Sequence, residues 1–367
     1  ESFRRCVPVG CRTSRTPPSS HLGVGAVCGG MAAQRDGFAE CTAPDQERIA
    51  RWATQFAAIK SAAELFGRRR RRFAVLPATA GQTLSVGQKR VHFIRHGEGL
   101  HNTWRKAEFA AGRAPHAKRG NFHEVSPELH DPDLTEKGRG EASAAGGLAK
   151  ACAPQLLVTS PVRRAIQTLM LAFEDAVAEG VPIVAHELCR ELFRGTDPSI
   201  YDSRRARGAL KREFPKIDFD SYVLPEPEES KEFLAGDPVW WQCDSPIIAC
   251  GDDGPLEVAM VEHGYGFLCW LMSQPEAEIA VATHSLLLLA LYHGSLDVHG
   301  AAGHASPQVF HTGELRSVLI QESSAAGNVG RLVAYGPALL GDGLVATNGG
   351  DAPSLARKRR RAQVAES

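Results

Sequence analysis

The sequence has no long hydrophobic run and no excess of charge of either sign. Its longest apolar stretch covers the 14 residues 279–292, and Thr283, His284 and Ser285 interrupt it. A membrane-spanning helix needs about 20 apolar residues, so we expect no membrane span. The 42 basic and 42 acidic residues give a net charge of 0. The chain therefore lacks the basic excess that is typical of a dedicated nucleic-acid-binding protein.

Two motifs that would indicate other classes are also absent. The nine cysteines contain no C-x-x-C pair, and no G-x-x-x-x-G-K-[ST] loop occurs, which excludes a P-loop nucleotide hydrolase. The odd number of scattered cysteines favours buried thiols in a reducing compartment over disulfides or a metal site. His92 and His96 are four residues apart, but a strand would separate them by about 13 Å, too far to share one ion. We therefore expect no metal and no cofactor.

Both ends of the chain are predicted to lie outside the folded domain. Residues 1–40 are expected to form a disordered or targeting leader, because residues 1–35 hold five arginines, six Ser or Thr and one acid. That bias resembles an organelle transit peptide, and translated sequence upstream of Met31 would explain it equally well. We expect a cytoplasmic protein, or a plastid one if residues 1–35 are a transit peptide. Residues 340–367 are predicted to be a disordered basic tail.

Residues 41–75 are predicted to contain an amphipathic helix followed by a basic run. Apolar side chains recur at three- and four-residue steps between Asp45 and Phe66, which places them on one helix face. Five consecutive arginines follow, Arg68 to Arg72. We expect the helix to pack on its own domain and the arginines to form a solvated end.

Residues 88–333 alternate between strand-like and helix-like segments, which indicates an α/β fold. Two irregular stretches, 101–131 and 193–255, are rich in Pro, Gly and charge and are expected to cap the site. The predicted strands are 91–94, 155–158, 181–185, 279–282 and 315–321, and the predicted helices are 136–151, 162–179, 256–273 and 286–291.

Cationic and imidazole side chains follow three of the predicted strands. Arg95 and His96 follow the first strand, Arg163 and Arg164 come soon after the second, and His284 follows the fourth. In open α/β sheets, binding sites form at the carboxyl ends of the strands. Two arginines and two histidines from separate segments are therefore expected to meet in one pocket.

The chemistry of these side chains suits phosphate. Arginine offers a planar set of donors that matches phosphoryl oxygens, and helix N-termini behind the strands would add backbone donors. A neutral imidazole is a nucleophile toward phosphorus, and flanking cations disfavour its protonated form. Phosphoryl transfer depends mainly on positioning and charge stabilisation, which these four groups can supply without a metal.

The sequence resembles the histidine phosphatase superfamily, whose fold is also called phosphoglycerate mutase-like. Five elements carry the resemblance, in order along the chain: Arg95-His96-Gly97-Glu98 with Asn102, residues 131–138 (D-P-D-L-T-E-K-G), residues 160–168, residues 187–191, and Thr283-His284-Ser285. Residues 187–191, 214–219 and 314–317 are similar to plant and algal phosphoglycerate mutase-like proteins. The resemblance implies a three-layer α/β domain with a mostly parallel sheet flanked by helices and a cap formed by the insertions.

The resemblance also implies roles for the matching residues. His96 would carry the phosphoryl group, and Arg95, Arg164 and His284 would bind its oxygens, with Asn102 nearby. Glu191 would protonate the leaving oxygen and later activate water. Arg163 is the alternative to Arg164, which precedes an alanine as the arginine of the family does. Arg163 and Ser285 are further candidate substrate-binding residues.

These residues predict a phosphatase of the histidine acid phosphatase type, a metal-independent phosphomonoesterase that acts on a small phosphorylated substrate. Two alternatives remain open: a phosphoglycerate mutase, and an inactive family member that binds a phosphorylated ligand. Residues 192–195 lack the His-Tyr pair that cofactor-dependent mutases carry after the acid, which weakens the mutase reading. Basic residues at 204–212 are interpreted as the exposed face of a cap helix, or as a selector for multiply phosphorylated substrates. The sequence indicates neither the oligomeric state nor the physiological substrate.

Overall fold

The computed structural model describes eight separate parts of the chain. These are residues 41–65, 67, 71–76, 82–113, 126–192, 199–225, 256–298 and 308–324. The predicted leader (1–40) and tail (340–367) lie outside the described residues, as does much of the predicted cap (114–125, 193–198 and 226–255).

A mixed sheet forms the centre of the described structure. Its eight strands are β1 (Arg71–Leu76), β2 (Gln88–Arg95), β3 (Leu156–Thr159), β4 (Ile183–Ala185), β5 (Ile217–Asp218), β6 (Glu278–Thr283), β7 (Leu296–Val298) and β8 (Leu315–Ser324). Their order across the sheet is β5-β4-β3-β6-β2-β8-β1-β7. Of these eight strands only β8 runs antiparallel to its neighbours. All five strands predicted from the sequence are present.

Helices cover both faces of this sheet. They are α1 (Ala43–Leu65), α2 (Leu100–Ala110), α3 (Glu136–Ala149), α4 (Arg163–Ala172), α5 (Glu174–Ala178), α6 (Arg207–Glu213), α7 (Leu256–Ser273) and α8 (Ser285–Gly294). Helices α1, α7 and α8 share one hydrophobic core with Val91 and Phe93 of β2. Helices α3 and α4 share the second core with Ile94 of β2. The period-two alternation of strand side chains thus fills both interfaces, and the predicted three-layer α/β fold is confirmed.

The amino-terminal segment is part of this domain. Arg71 and Arg72 begin β1 and pair with acids of neighbouring strands, so the prediction of a solvated end is wrong in placing them outside the sheet. The side chain of Arg72 is nevertheless exposed, as predicted. Arg71 Nε lies 2.6 Å from Glu322 Oε1, and Arg72 Nε lies 3.1 Å from Asp297 Oδ2. Because β1 lies between β7 and β8 and α1 packs on the same core, we infer that the domain includes α1 and β1 in addition to the predicted range 88–333.

Two further predictions about the irregular stretches need correction. The stretch 101–131 was expected to lack regular structure, and it contains most of α2. The predicted helix 162–179 is two helices, α4 and α5, which meet at the buried Phe173.

Among the described residues, no helix has the length and apolar character needed to cross a membrane.

Candidate functional site

The site forms where the parallel strands β2, β6 and β3 end side by side. Arg95 is the last residue of β2 and lies opposite Thr283, the last residue of β6. The His96 N–H donates to Thr283 O at 2.9 Å, which fixes the chain just past both strands. The imidazole rings of His96 and His284 therefore come together, with their centroids 5.1 Å apart.

His96 is buried and is held in one tautomer. Its Nδ1 lies 2.7 Å from the carbonyl oxygen of Gly97. Because a carbonyl oxygen only accepts, Nδ1 must carry the proton, and Nε2 keeps a lone pair. Burial, and then the charges of Arg164 and Arg95, hold the pKa of His96 well below its usual value. The ring is therefore neutral at physiological pH, and Nε2 is its nucleophilic atom.

His284 is held in the opposite tautomer. Its Nδ1 lies 3.3 Å from Arg164 Nη2, and a guanidinium only donates, so Nδ1 accepts. The proton is on Nε2, which donates to Ser160 Oγ at 2.8 Å. Burial, with smaller contributions from Arg164 and His96, holds the pKa of His284 well below its usual value. The second histidine is therefore also neutral.

The structure brings Arg164 to these histidines and directs the Arg163 side chain elsewhere. Arg164 is 1% exposed, and its guanidinium donates to Tyr201 O and, at 2.9 Å, to Asp202 Oδ1. Arg163 Nη2 lies 2.8 Å from Asp133 and 2.8 Å from Glu213. Arg163 therefore belongs to a separate ion-pair cluster, and we leave it out of the phosphate site proposed below.

Arg95 reaches the same strand end from β2. Its Nη1 donates to the carbonyl oxygen of Phe310 at 2.7 Å, and its buried Nε has no hydrogen-bond partner among the described residues. Burial lowers the pKa of Arg95, and the nearby carboxylate of Glu191 opposes that change. Arg95 thus retains donor capacity close to His96.

Glu191 lies at the N-terminus of α8, the helix that directly follows His284. Its Oε1 accepts from the N–H groups of Leu286 and Leu287 at 3.1 and 3.3 Å, and its Oε2 accepts from Ser285 Oγ at 3.2 Å. The predicted acid is therefore fixed beside the histidines by a helix N-terminus. The hydroxyl group of Ser285 is oriented by Glu191, because it donates its hydrogen bond to that carboxylate.

Asn102 closes the first turn of α2, shortly after Arg95 and His96. Its Oδ1 accepts from the Gly99 N–H at 2.9 Å, and its own N–H donates to Gly99 O at 2.8 Å. This reciprocal pair fixes the side chain and leaves the NH2 group of the amide unused in the cap. Asn102 can therefore present donors to an anion bound near His96.

Residues 91–234 match the model of the histidine phosphatase superfamily, branch 1. This range begins in β2 and includes Arg95, His96, Arg164 and Glu191. This part of the chain is similar to the histidine phosphatase superfamily.

Two proteins of Arabidopsis thaliana are similar to this chain. A phosphoglycerate mutase-like protein is 29% identical over 251 residues, which cover 58% of this chain and 75% of the relative. Phosphoglycerate mutase-like protein 1 is 25% identical over 285 residues, which cover 67% and 86%. Among solved structures, phosphoglycerate mutase from Bacillus anthracis str. Sterne matches with 15% identity and a TM-score of 0.37 over 65% of this chain and 92% of that one. The predicted resemblance to plant phosphoglycerate mutase-like proteins is confirmed.

Two rings beside the histidine pair were not predicted from the sequence. His101 has its ring centroid 5.7 Å from that of His96 and stacks on Tyr201 at 5.0 Å. Burial, followed by the charge of Arg164 and by His96, holds the pKa of His101 well below its usual value. His101 directly precedes Asn102, a residue of the superfamily signature. This position could have indicated from the sequence that His101 lies at the site. Tyr201 lies in an insertion, and no pattern there pointed to it.

Two glycines allow the turn after β2 to pack directly on α3. A Cβ at Gly97 would lie 2.3 Å from the carbonyl oxygen of Gly138, and a Cβ at Gly138 would lie 2.1 Å from Glu98 O. Neither position has room for a side chain. The Gly97 N–H also donates to Thr168 Oγ1 on α4 at 3.0 Å. The close backbone contact therefore fixes His96 relative to the helix that carries Arg164.

Several of the basic residues at 204–212 contact acids. Arg204 is buried, and its Nε lies 2.9 Å from Glu187 Oε1. Arg207 and Lys211 both contact Asp220, at 3.6 and 2.6 Å. The interpretation of 204–212 as the exposed face of a helix is wrong for Arg204, which is buried before α6, whereas Arg207 and Lys211 lie in α6.

Proposed function

We propose that the chain is a metal-independent phosphomonoesterase in which His96 carries the phosphoryl group between two displacement steps. The observation that carries the proposal is the protonation state of His96. Its Nδ1 proton is directed to Gly97 O at 2.7 Å, and burial and two arginines keep the ring neutral. The lone pair on Nε2 is therefore available to attack phosphorus.

In the first step, Nε2 of His96 bonds to phosphorus as the bond from phosphorus to the ester oxygen breaks. The electron pair of that bond goes to the leaving oxygen, which takes up a proton and departs as an alcohol. Arg95 and Arg164 surround the transferring group and donate to its oxygens, and the neutral His284 accepts from Arg164 and so orients its guanidinium. Two fixed positive charges in a buried site can stabilise the developing negative charge.

Glu191 is the group we propose for proton transfer. Its carboxylate accepts from Ser285 Oγ and from the N–H groups of Leu192, Leu286 and Leu287, and hydrogen bonds donated to a carboxylate favour its charged form. The proton for the leaving oxygen therefore arrives with a monoanionic phosphate ester and passes through Glu191. In the second step, Glu191 takes a proton from water as that water attacks phosphorus. The bond between phosphorus and Nε2 then breaks, and inorganic phosphate and free His96 result.

A phosphoglycerate mutase is the second candidate. It is favoured by the similarity to two Arabidopsis thaliana proteins that are described as phosphoglycerate mutase-like. Both candidates share the phosphorylation of His96 and differ in the acceptor of the second step. A mutase returns the phosphoryl group to a bound hydroxyl group, whereas a phosphatase transfers it to water.

The test is the release of p-nitrophenol and phosphate from p-nitrophenyl phosphate, in the presence of EDTA, by the full chain and by His96→Ala. His92→Gln is the matched control, because His92 is a buried histidine on the same strand whose ring contacts Ser317 and Glu278, away from the site. We expect EDTA-resistant turnover by the wild type and by His92→Gln, and none by His96→Ala.

Each other outcome has a defined meaning. Turnover by His96→Ala would overturn the phosphohistidine route. Absence of turnover in all three folded proteins, with transfer of phosphate between positions of a phosphoglycerate, would favour the mutase. Phosphate binding without either reaction would favour an inactive phosphate-binding family member.

A further inference from the structure

Asp131 is a buried carboxylate that joins two separate segments beside the site. It is 0% exposed, and each of its oxygens accepts one backbone N–H. Oδ1 accepts from Arg163 at 2.8 Å, and Oδ2 accepts from Arg205 at 3.0 Å. Its φ of 49° lies in the left-handed region, which Asp and Asn tolerate better than other residues with side chains. One side chain therefore connects the first turn of α4 to the segment before α6.

These two segments are the ones that hold Arg164. The guanidinium starts from the first turn of α4, next to the N–H that Asp131 accepts. Its acceptors Tyr201 O and Asp202 Oδ1 lie in the short 3-10 turn Ile200–Asp202, three residues before Arg205. Asp131 holds both segments through its two oxygens. The distance between the Arg164 guanidinium and its acceptors therefore depends on Asp131.

We propose that Asp131 is a positioning residue that sets the geometry of Arg164 for phosphate binding. The inference rests on the proposed function, because it assigns to Arg164 the task of binding phosphoryl oxygens. Asp131 does not touch the substrate, and its effect passes through Arg164.

The ionised form of Asp131 is costly to keep in this place. Burial raises the pKa of Asp131 to about 6, although the N–H groups of Arg163 and Arg205 and the charges of Arg164 and Arg163 act in the other direction. A neutral acceptor at this position would not carry the free-energy cost of burying a charge. The carboxylate, however, accepts one N–H at each of its two oxygens, whereas a carboxamide would place its NH2 group against one of these N–H groups.

The test uses Asp131→Asn with Asp133→Asn as its matched control. Asn tolerates the same backbone conformation but offers one acceptor and turns an NH2 group toward the second N–H. Asp133 is two residues away on the same loop and pairs with the Arg163 side chain. We expect Asp131→Asn to weaken the binding of inorganic phosphate, measured by calorimetry, about tenfold, and Asp133→Asn to change it less than about threefold.

The decisive readout is non-additivity with Arg164→Ala. If Asp131 acts through Arg164, Asp131→Asn changes phosphate affinity less than about twofold in the Arg164→Ala background. A full tenfold loss in that background would overturn the proposal. Asp131→Ser, which keeps one acceptor without the opposing NH2 group, replaces Asp131→Asn if the latter does not fold, and the same two outcomes apply.

This test separates failure of the inference from failure of the proposed function. Phosphate binding is measured without turnover, so an inactive chain still reports on Asp131. If His96→Ala abolishes turnover and Asp131→Asn binds phosphate as the wild type does, the proposed function stands and the inference fails.

Discussion

His284 Nδ1 lies 3.3 Å from Arg164 Nη2, and this contact joins two side chains that are 120 residues apart in the sequence. It fixes the tautomer of His284 and places a permanent positive charge beside the histidine pair. The same charge lowers the pKa of His96, after burial, and so keeps its Nε2 unprotonated. Under the proposed function, Arg164 would have two tasks, binding phosphate and keeping the nucleophile His96 neutral.

The adjacent arginines of α4 give a matched pair for testing these tasks. We expect Arg164→Lys to reduce kcat/KM by about 100-fold or more, because a lysine has no planar set of donors. Arg163→Lys is expected to change kcat/KM less than about threefold, because that side chain pairs with Asp133 and Glu213. Steady-state kinetics with p-nitrophenyl phosphate measures both. A larger loss for Arg163→Lys would contradict the assignment.

The proton-transfer role of Glu191 is tested with two leaving groups. Glu191→Gln keeps an acceptor for the N–H groups of α8 but cannot transfer a proton, so we expect the fold to be preserved. For an alkyl phosphate, whose leaving oxygen needs a proton, we expect kcat/KM to fall by about 100- to 10,000-fold. For p-nitrophenyl phosphate, whose leaving group departs without a proton, kcat/KM should fall far less. Equal losses for the two substrates would mean that Glu191 only caps the helix.

Part of this site could be predicted from the sequence because its signals are local. Arg95-His96 and Thr283-His284 stand directly after short apolar runs, and parallel strands end at one edge of the sheet. Glu191 was found through the resemblance to the superfamily. The sequence had no local signal that Glu191 would contact the helix after His284, a contact that spans 94 residues.

Other features could not be predicted because their partners are distant in the sequence. In β1, Phe73 and Val75 are buried, but the preceding arginines resemble a solvated segment. Only the pairing of β1 with β7 and β8, more than 200 residues away, makes it a strand. Tyr201 and Asp202 lie in an irregular insertion, and only the folded chain shows that they contact Arg164.

The buried His186 gives the protein an acid-sensitive stability that is independent of the site. Its ring lies among Tyr222, Trp270 and Phe267, with the ring of Trp270 at 4.3 Å. Burial, with a smaller contribution from His263, lowers the pKa of His186 to about 3. The unfolded chain takes up this proton near pH 6.5, whereas the folded chain does not. The stability that His186 contributes is therefore present above pH 6.5 and is lost as the pH falls toward 3.

We expect this one group to reduce the free energy of unfolding by about 1.4 kcal/mol per pH unit below pH 6. In His186→Phe the slope should be smaller by that amount. The measurement is urea denaturation at several pH values between 4.5 and 7.5. The variant also loses the acceptor of the Leu188 N–H, which changes its stability at every pH. The comparison therefore uses the slope of the free energy of unfolding against pH. Identical slopes in the two proteins would show that His186 is already protonated in the folded state.

Two glycines of α3 provide a test of the close backbone contact behind His96. Gly138→Ala places a Cβ 2.1 Å from Glu98 O, so we expect a loss of about 3 kcal/mol in stability and a large loss of activity. Gly140 is exposed in the same helix, and a Cβ there meets nothing within 4 Å. Gly140→Ala should raise stability by about 0.5–1 kcal/mol and leave activity unchanged. Equal effects at both positions would contradict the contact.

The central claim, that His96 carries the phosphoryl group, is tested most directly by trapping the phosphoenzyme. The experiment uses the variant Glu191→Gln and p-nitrophenyl phosphate with a labelled phosphorus. Phosphorylation of His96 by this substrate needs no proton from Glu191, whereas hydrolysis of the phosphohistidine is slowed in the variant, so the phosphoenzyme accumulates. After rapid denaturation in base, we expect one phosphoryl group per chain, labile to acid, on the peptide that contains His96, and none in His96→Ala. Label on another residue, or turnover with no labelled protein, would contradict the account.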